Sequence, residues 1–239
     1  MQKGETTDIA NASEAVIGIL MLESNFPRIR GDVGNSETWP FPVLYKVVKG
    51  ASPERVVTYK SEGLLRPFLN AAQELVELGA VGITTSCGFL ASFQSELSQA
   101  TGVPVASSCL MQVPWVQALL PAESCVGIVT ISASNLTREQ LESAGVPTDT
   151  PIIGLETGQA FSRTILNDEI ELDIDQARAD IISAAQTLCD QHPNIRAVVL
   201  ECTNMAPYTA DVSAALHLPV FDFYSFVTWF QAGLSPRRF

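Results

Sequence analysis

The chain is poor in histidine and has no closely paired cysteines. His192 and His217 are its only histidines, and no two of its five cysteines stand in a Cys-x-x-Cys arrangement. The usual ligand sets of a cysteine/histidine zinc site are therefore missing, and no metal or cofactor is expected. His192 lies in the turn-like Gln191-His192-Pro193-Asn194, and His217 precedes Leu218-Pro219 at a helix end. Both positions suit solvated helix-terminal side chains better than half of a Cys–His pair. No apolar run reaches the length of a membrane-crossing helix. Residues 1–13 are polar, lack the apolar centre of a secretory signal and read as a flexible tail. An odd number of cysteines without such a signal fits free thiols in a reducing, cytoplasmic setting. Positive charge is scarce too: 14 Lys and Arg stand against 26 Asp and Glu, a net charge of −12. That balance argues against nucleic acid and anionic membrane surfaces as partners.

What remains is an ordinary globular composition, 46% hydrophobic and 17% charged, in 239 residues that can bury a large core. Apolar runs alternate with helical patterns. Ala15–Met21 reads as a buried first strand, followed by a long Gly/Pro/Asn-rich loop (23–42), a strand over 43–48 and a turn at Gly50–Pro53. A helix spans 62–78, with Leu65, Phe68, Leu69, Ala72, Leu75 and Val76 at three/four spacing and Gly79 as its stop. Past a boundary at Pro121–Ser124 the pattern restarts with Val126–Ile131. A helix over 136–144 is capped by Ser134 or Asn135, and a longer one spans 173–189. This predicts an α/β fold: two similar parallel-sheet, flavodoxin-like units related by pseudo-twofold symmetry, at residues 14–120 and 121–220. The C-terminal helix, within 221–239, is expected to pack back on the first unit.

Each unit carries one cysteine at the same place. Val81–Phe89 starts apolar and ends Thr84-Thr85-Ser86-Cys87-Gly88, before a helical pattern over 90–100. Ala197–Met205 starts apolar and ends Glu201-Cys202-Thr203-Asn204. Each cysteine is followed 17 residues later by Pro-Val, at Pro104-Val105 and Pro219-Val220. A cysteine between a strand end and a helix start meets free N–H groups and a positive dipole end, which favour thiolate. Sites in open α/β sheets lie beyond the carboxyl ends of the strands, so two facing units would put Cys87 and Cys202 on opposite sides of one cleft. Opposed thiols suit proton transfer on both faces of a carbon. Cys109, Cys125 and Cys189 read as small core residues.

The Thr-Thr-Ser-Cys-Gly and Glu-Cys-Thr-Asn-Met pair, in a duplicated α/β chain of this length, resembles the aspartate/glutamate racemase superfamily. That group includes hydantoin racemases, maleate isomerases and arylmalonate decarboxylases. The first site here reads Cys-Gly-Phe where the aspartate and glutamate racemases usually carry Cys-Asn-Thr. The resemblance implies cofactor-independent chemistry in an interdomain cleft, Cys87 and Cys202 as the acid/base pair, and dimer formation. The leading expectation is a racemase or epimerase inverting the α-carbon of a small carboxylate, most simply an amino acid such as aspartate or glutamate. Two other readings stay open: an isomerase or lyase using one cysteine, and a non-catalytic protein closing two lobes on a small anion. Candidate substrate-binding residues are Asn25, Arg28 and Asn35 of the long loop, with Ser86, Gly88, Ser107, Thr130, Ser132, Thr203 and Asn204 at strand ends. Arg28 offers bidentate carboxylate binding, with Asp32 to orient it. Ser108, Ser134 and Arg163 are weaker candidates.

Overall fold

The computed structural model describes residues 15–237; the tail expected over 1–13 lies outside them. Two four-stranded parallel sheets form the frame, ordered β2-β1-β3-β4 and β6-β5-β7-β8. The first uses β1 (Ile17–Leu22), β2 (Val43–Val48), β3 (Gly82–Thr85) and β4 (Val105–Ala106). The second uses β5 (Cys125–Thr130), β6 (Ile152–Gly154), β7 (Ile195–Leu200) and β8 (Val220–Phe221). The repeated order and all-parallel pairing bear out the expected α/β class of two similar sheets.

The central strands are apolar because helices cover both faces. Every residue of β1 is buried. Gly18 in β1 and Gly127 in β5 let the crossing helices come close. A Cβ on Gly18 would meet Leu75 of α2 (Leu65–Glu77), and one on Gly127 would meet Leu188 of α7 (Ile174–Gln191). The closing helix α9 (Phe223–Leu234) sets Phe230 and Leu234 against Gly82 of β3, so the end of the chain packs on the first sheet.

Some local expectations need correction. The segment after Cys87 is not one helix from residue 90: Gly88–Phe93 winds as a 3-10 turn before α3 (Gln94–Thr101). The helix α5 (Arg138–Ser143) is capped by Thr137, not by Ser134 or Asn135; Thr137 and Gln140 exchange the two bonds of a capping box. After Gly50 the chain forms the short helix α1 (Pro53–Val57), with Ser52 as cap and Pro53 in the first turn, where proline costs no hydrogen bond. The remaining helices are α4 (Val113–Leu119), α6 (Phe161–Leu166) and α8 (Thr209–Leu216). No helix among the described residues is long and apolar enough to cross a membrane.

Candidate active site

Both cysteines follow directly from a strand end. Beyond β3, Ser86 N–H donates to Leu20 O at 2.9 Å; beyond β7, Glu201 N–H donates to Val129 O at 2.8 Å. Ser86 and Glu201 thus occupy equivalent places, one residue before each cysteine. The turn at Cys87 is held by Thr85, whose hydroxyl donates to Ser107 O (2.7 Å) and accepts from Cys87 N–H (3.3 Å). The two turns are also joined across the lobes. Thr203 Oγ1 donates to Ser86 O at 2.7 Å, and Gln140 Nε2 of α5 donates to Phe89 O at 2.8 Å.

Cys87 and Cys202 line one narrow pocket with Ser86, Gly88, Arg28, Glu201 and Asn204. Its other walls are apolar, among them Phe26 and Phe89. All five cysteines are free thiols. The strand-to-helix setting was expected to favour thiolate, but burial outweighs it. It pushes both thiols up, and neighbouring Glu201 pushes them further; the Phe89 N–H at Cys87 and the Asn204 N–H at Cys202 act the other way.

Glu201, to which the sequence reading assigned no role, is fully buried. Its Oε2 accepts from Thr130 Oγ1 at 2.7 Å, and its Oε1 has no partner. Burial raises its carboxyl to about 7. The available signal was a charged residue closing the apolar run Ala197–Leu200, immediately before a cysteine. Asn204 is held by a chain of bonds from the long loop. Arg28 Nη1 pairs with Asp32 Oδ1 at 2.9 Å, and Asn204 Nδ2 donates to Asp32 Oδ2 at 2.5 Å. That fixes the Asn204 amide with its oxygen toward Cys202, whose thiol donates to it at 3.4 Å. The Arg28 guanidinium also donates to Ser24 Oγ (2.9 Å) and covers the Phe26 ring, 4.5 Å from its centroid.

The other candidates lie outside the pocket wall. Asn25 is tied to Asp168, and Asn35 caps the 3-10 turn Ser36–Thr38 and donates to Arg28 O. Thr130 reaches the pocket only through Glu201, and Thr203 only through Ser86. Ser107 is buried with its hydroxyl unpartnered. Ser132 and Ser134 bond to each other and to Glu156. Ser108 caps the turn Cys109–Gln112, and Arg163 pairs with Glu169. Among the described residues no cluster of His, Cys, Asp and Glu is arranged to hold a metal ion.

Comparison with solved structures matches the whole layout. A variant of arylmalonate decarboxylase in its sulfate-associated form superposes with TM-score 0.62 at 14% identity, covering 93% of this chain and 95% of that one. Allantoin racemase from Pseudomonas fluorescens gives 0.62 at 13% identity, covering 92% and 90%. This is the aspartate/glutamate racemase superfamily fold. The family resemblance read from the two cysteine segments therefore holds at the level of the fold. No protein-family model matches the chain.

Sequence relatives overturn the expected amino-acid racemase. A dimethylsulfoniopropionate lyase of Durusdinium sp. clade D is 27% identical over 237 residues, covering 95% of this chain and 78% of that protein. Dimethylsulfoniopropionate lyase 6 of Emiliania huxleyi is 31% identical over 222 residues. The match covers 88% of this chain, which spans only 57% of that relative's length. Curated relatives at this level carry a lyase name where a racemase was expected. Of the readings left open by the sequence, the single-cysteine lyase is the nearest. The cysteine pair alone does not tell inversion from elimination.

Proposed function

We propose that this protein is a cofactor-independent lyase that splits dimethylsulfoniopropionate, or a close β-sulfonium carboxylate, by β-elimination. Its similarity to the named lyases across both cysteine segments carries this reading. The chemistry needs a base at the carbon next to the carboxylate and an anchor for that carboxylate. Cys87 is the base. The Cys202 thiol is engaged as a donor to Asn204 Oδ1, whereas the Cys87 thiol is tied to no side-chain acceptor among the described residues. The Cys87 thiolate takes the α-proton; the C–H electrons form the carbon–carbon double bond as the β-carbon–sulfur bond breaks. The sulfur leaves with its bonding pair as neutral dimethyl sulfide, and acrylate remains. Net charge is −1 before and after: thiolate plus zwitterion gives thiol, sulfide and acrylate.

Arg28 is the carboxylate anchor, held in place by Asp32 and Ser24. The apolar walls exclude water and strengthen both charge interactions. The ligand is thus a small zwitterion, and the site lies in the cleft between the lobes. The test is to feed purified, reduced protein with dimethylsulfoniopropionate and follow dimethyl sulfide in the headspace with acrylate by NMR. Stoichiometric release that disappears in Cys87→Ala is the expected result. Wild-type protein that releases neither product ends the proposal.

A further inference from the structure

The buried Glu201 lines the pocket, and one oxygen of its carboxyl has no hydrogen-bond partner. Its Oε1 lies against Gly88, where any Cβ would collide with it. Glu201 and Gly88 both line the pocket beside Cys87 and Cys202. A buried carboxylate ordinarily has a cation or several hydrogen-bond donors around it. Here Oε2 has Thr130, and Oε1 has no partner. Arg28 bonds to Asp32 and Ser24 and not to Glu201. The thiols of Cys87 and Cys202 add potential negative charge, not positive. The other titratable neighbour, buried Cys109, feels Glu201 as a repulsive charge as well.

We infer that Glu201 is the specificity residue for a substrate's onium group, supplying the counter-charge to a sulfonium or quaternary ammonium centre. This rests on the lyase reading above and extends it to a ligand class. An onium centre carries full positive charge and no acidic N–H or O–H. It attracts a carboxylate by Coulomb force alone and is sheathed in methyl groups that suit apolar walls such as Phe26, Phe89 and Ile131. An unbonded carboxylate oxygen in an apolar pocket is complementary to that chemistry. It is poorly matched to a primary ammonium, which would demand three acceptors. The zwitterion then spans the site from Arg28 at its carboxylate to Glu201 at its onium end.

The same contact accounts for a base buried beside a carboxylate. A thiolate at Cys87 and an ionised Glu201 repel each other in a desolvated space. An arriving cation compensates the second negative charge, so the Cys87 thiol can give up its proton to bulk water as the onium ligand enters. No separate activating base is required, and the thiol stays unreactive until an onium ligand is present.

Binding separates this inference from the lyase reading. Wild-type protein is titrated calorimetrically at fixed pH with 3-(trimethylammonio)propionate and with 4,4-dimethylpentanoate, its neutral carbon isostere. The expected result is a preference of at least about tenfold for the onium compound, falling to near parity in Glu201→Gln and surviving, weakened, in Glu201→Asp. Equal wild-type affinity for the two compounds overturns the inference, as does a full preference retained in Glu201→Gln. The wild-type comparison stands even if the variants do not fold. Onium preference without release of dimethyl sulfide would leave Glu201's role intact and remove the lyase reading; release without preference would do the reverse.

Discussion

Thr203, the residue after one cysteine, donates its hydroxyl to the carbonyl of Ser86, the residue before the other, at 2.7 Å. Both groups are buried, and the bond joins the two sheets at the place where both thiols enter the pocket. Two lobes that supply one site each must be held in register, because a shift of about 1 Å in reacting groups costs of order a hundredfold in rate. Thr203→Val keeps the shape and removes the donor, leaving a buried carbonyl unsatisfied. Stability should fall by about 1–3 kcal/mol, while turnover of dimethylsulfoniopropionate falls at least about tenfold beyond any unfolded fraction. Thermal melts run beside kcat measurements would separate the two; a stability loss with unchanged kcat would show that the bond only supports the fold.

The two thiols should respond differently to substitution. Cys202 is held as a donor to Asn204, whose orientation is set by Asp32, so on the proposed lyase reading it is a neighbour of the reaction and not its base. Cys87→Ala should lower kcat by about a thousandfold or more, the scale of a lost general base. Cys202→Ala should retain most of its kcat. Headspace assays on both proteins check this, and the reverse order would assign the base to Cys202.

How much of this was legible in the chain depends on the range of the interaction. Gly18 and Gly127, the matched 17-residue spacings and the strand over 43–48 are local or repeating signals, and the sheets follow from them. The 3-10 start at Gly88 is hidden inside an apolar helical pattern, and the Thr137–Gln140 box stands beside two other residues that cap well, Ser134 and Asn135. Both cysteines stood out by repetition. Glu201 did not, because a carboxylate ending a strand is usually solvated; only the packing of the cysteine turns over it shows that it is buried with a free oxygen. The link from Asp32 to Asn204 joins opposite ends of the chain and has no sequence signal at all. The choice between inversion and elimination is a matter of substrate, which two thiols in a cleft leave open.

A second tie between the lobes lies at the pocket mouth. Asp168, in the left-handed region at φ 55°, accepts from Asn25 N–H (2.6 Å), Asn25 Nδ2 (2.8 Å) and Phe26 N–H (3.1 Å). Phe26 is a pocket wall, and Arg28 follows two residues on. Asp168→Ala removes all three bonds from a segment that carries the carboxylate anchor. KM should rise severalfold with kcat little changed, and the amides of Asn25 and Phe26 should exchange faster with deuterium. An unchanged KM would mean that the loop is positioned by Arg28, Asp32 and Asn35 alone.

Glu201 should also be visible in the pH dependence of stability. Its carboxyl sits at about 7 in the folded chain against 4.5 ordinarily, because burial disfavours its charge. The folded state therefore holds a proton that the unfolded state has already released between these values. Stability falls as pH rises through that window and is flat above it. At about 1.4 kcal/mol per pH unit the loss is about 3 kcal/mol. Glu156 and Asp180 are shifted downward by hydrogen bonds, so their contributions lie at lower pH and have the opposite slope. Denaturant unfolding between pH 4.5 and 8 should show the decline in wild type and a flatter profile in Glu201→Gln. Parallel profiles would mean that Glu201 is already ionised in the folded protein well below neutral pH.

Gly88 supplies the sharpest geometric test, because its replacement acts on Glu201 without touching that residue's chemistry. A Cβ at position 88 would run into Glu201 Oε1 and approach the Glu201 carbonyl at 2.9 Å. The carboxyl tip can rotate, but the backbone oxygen cannot, so Gly88→Ala must shift the cysteine turn or push the carboxylate from its place. Overpacking of this kind costs about 1–3 kcal/mol. Onium binding should weaken more than binding of the neutral isostere, since the displaced group is the counter-charge. Adding Glu201→Ala to Gly88→Ala opens space where the methyl group goes. The double variant should recover part of the stability lost in Gly88→Ala while remaining without onium preference, a coupling that a double-mutant cycle reads directly. Strictly additive stabilities would show that the methyl group is accommodated by the backbone of the turn and that Gly88 is not there to make room for Glu201.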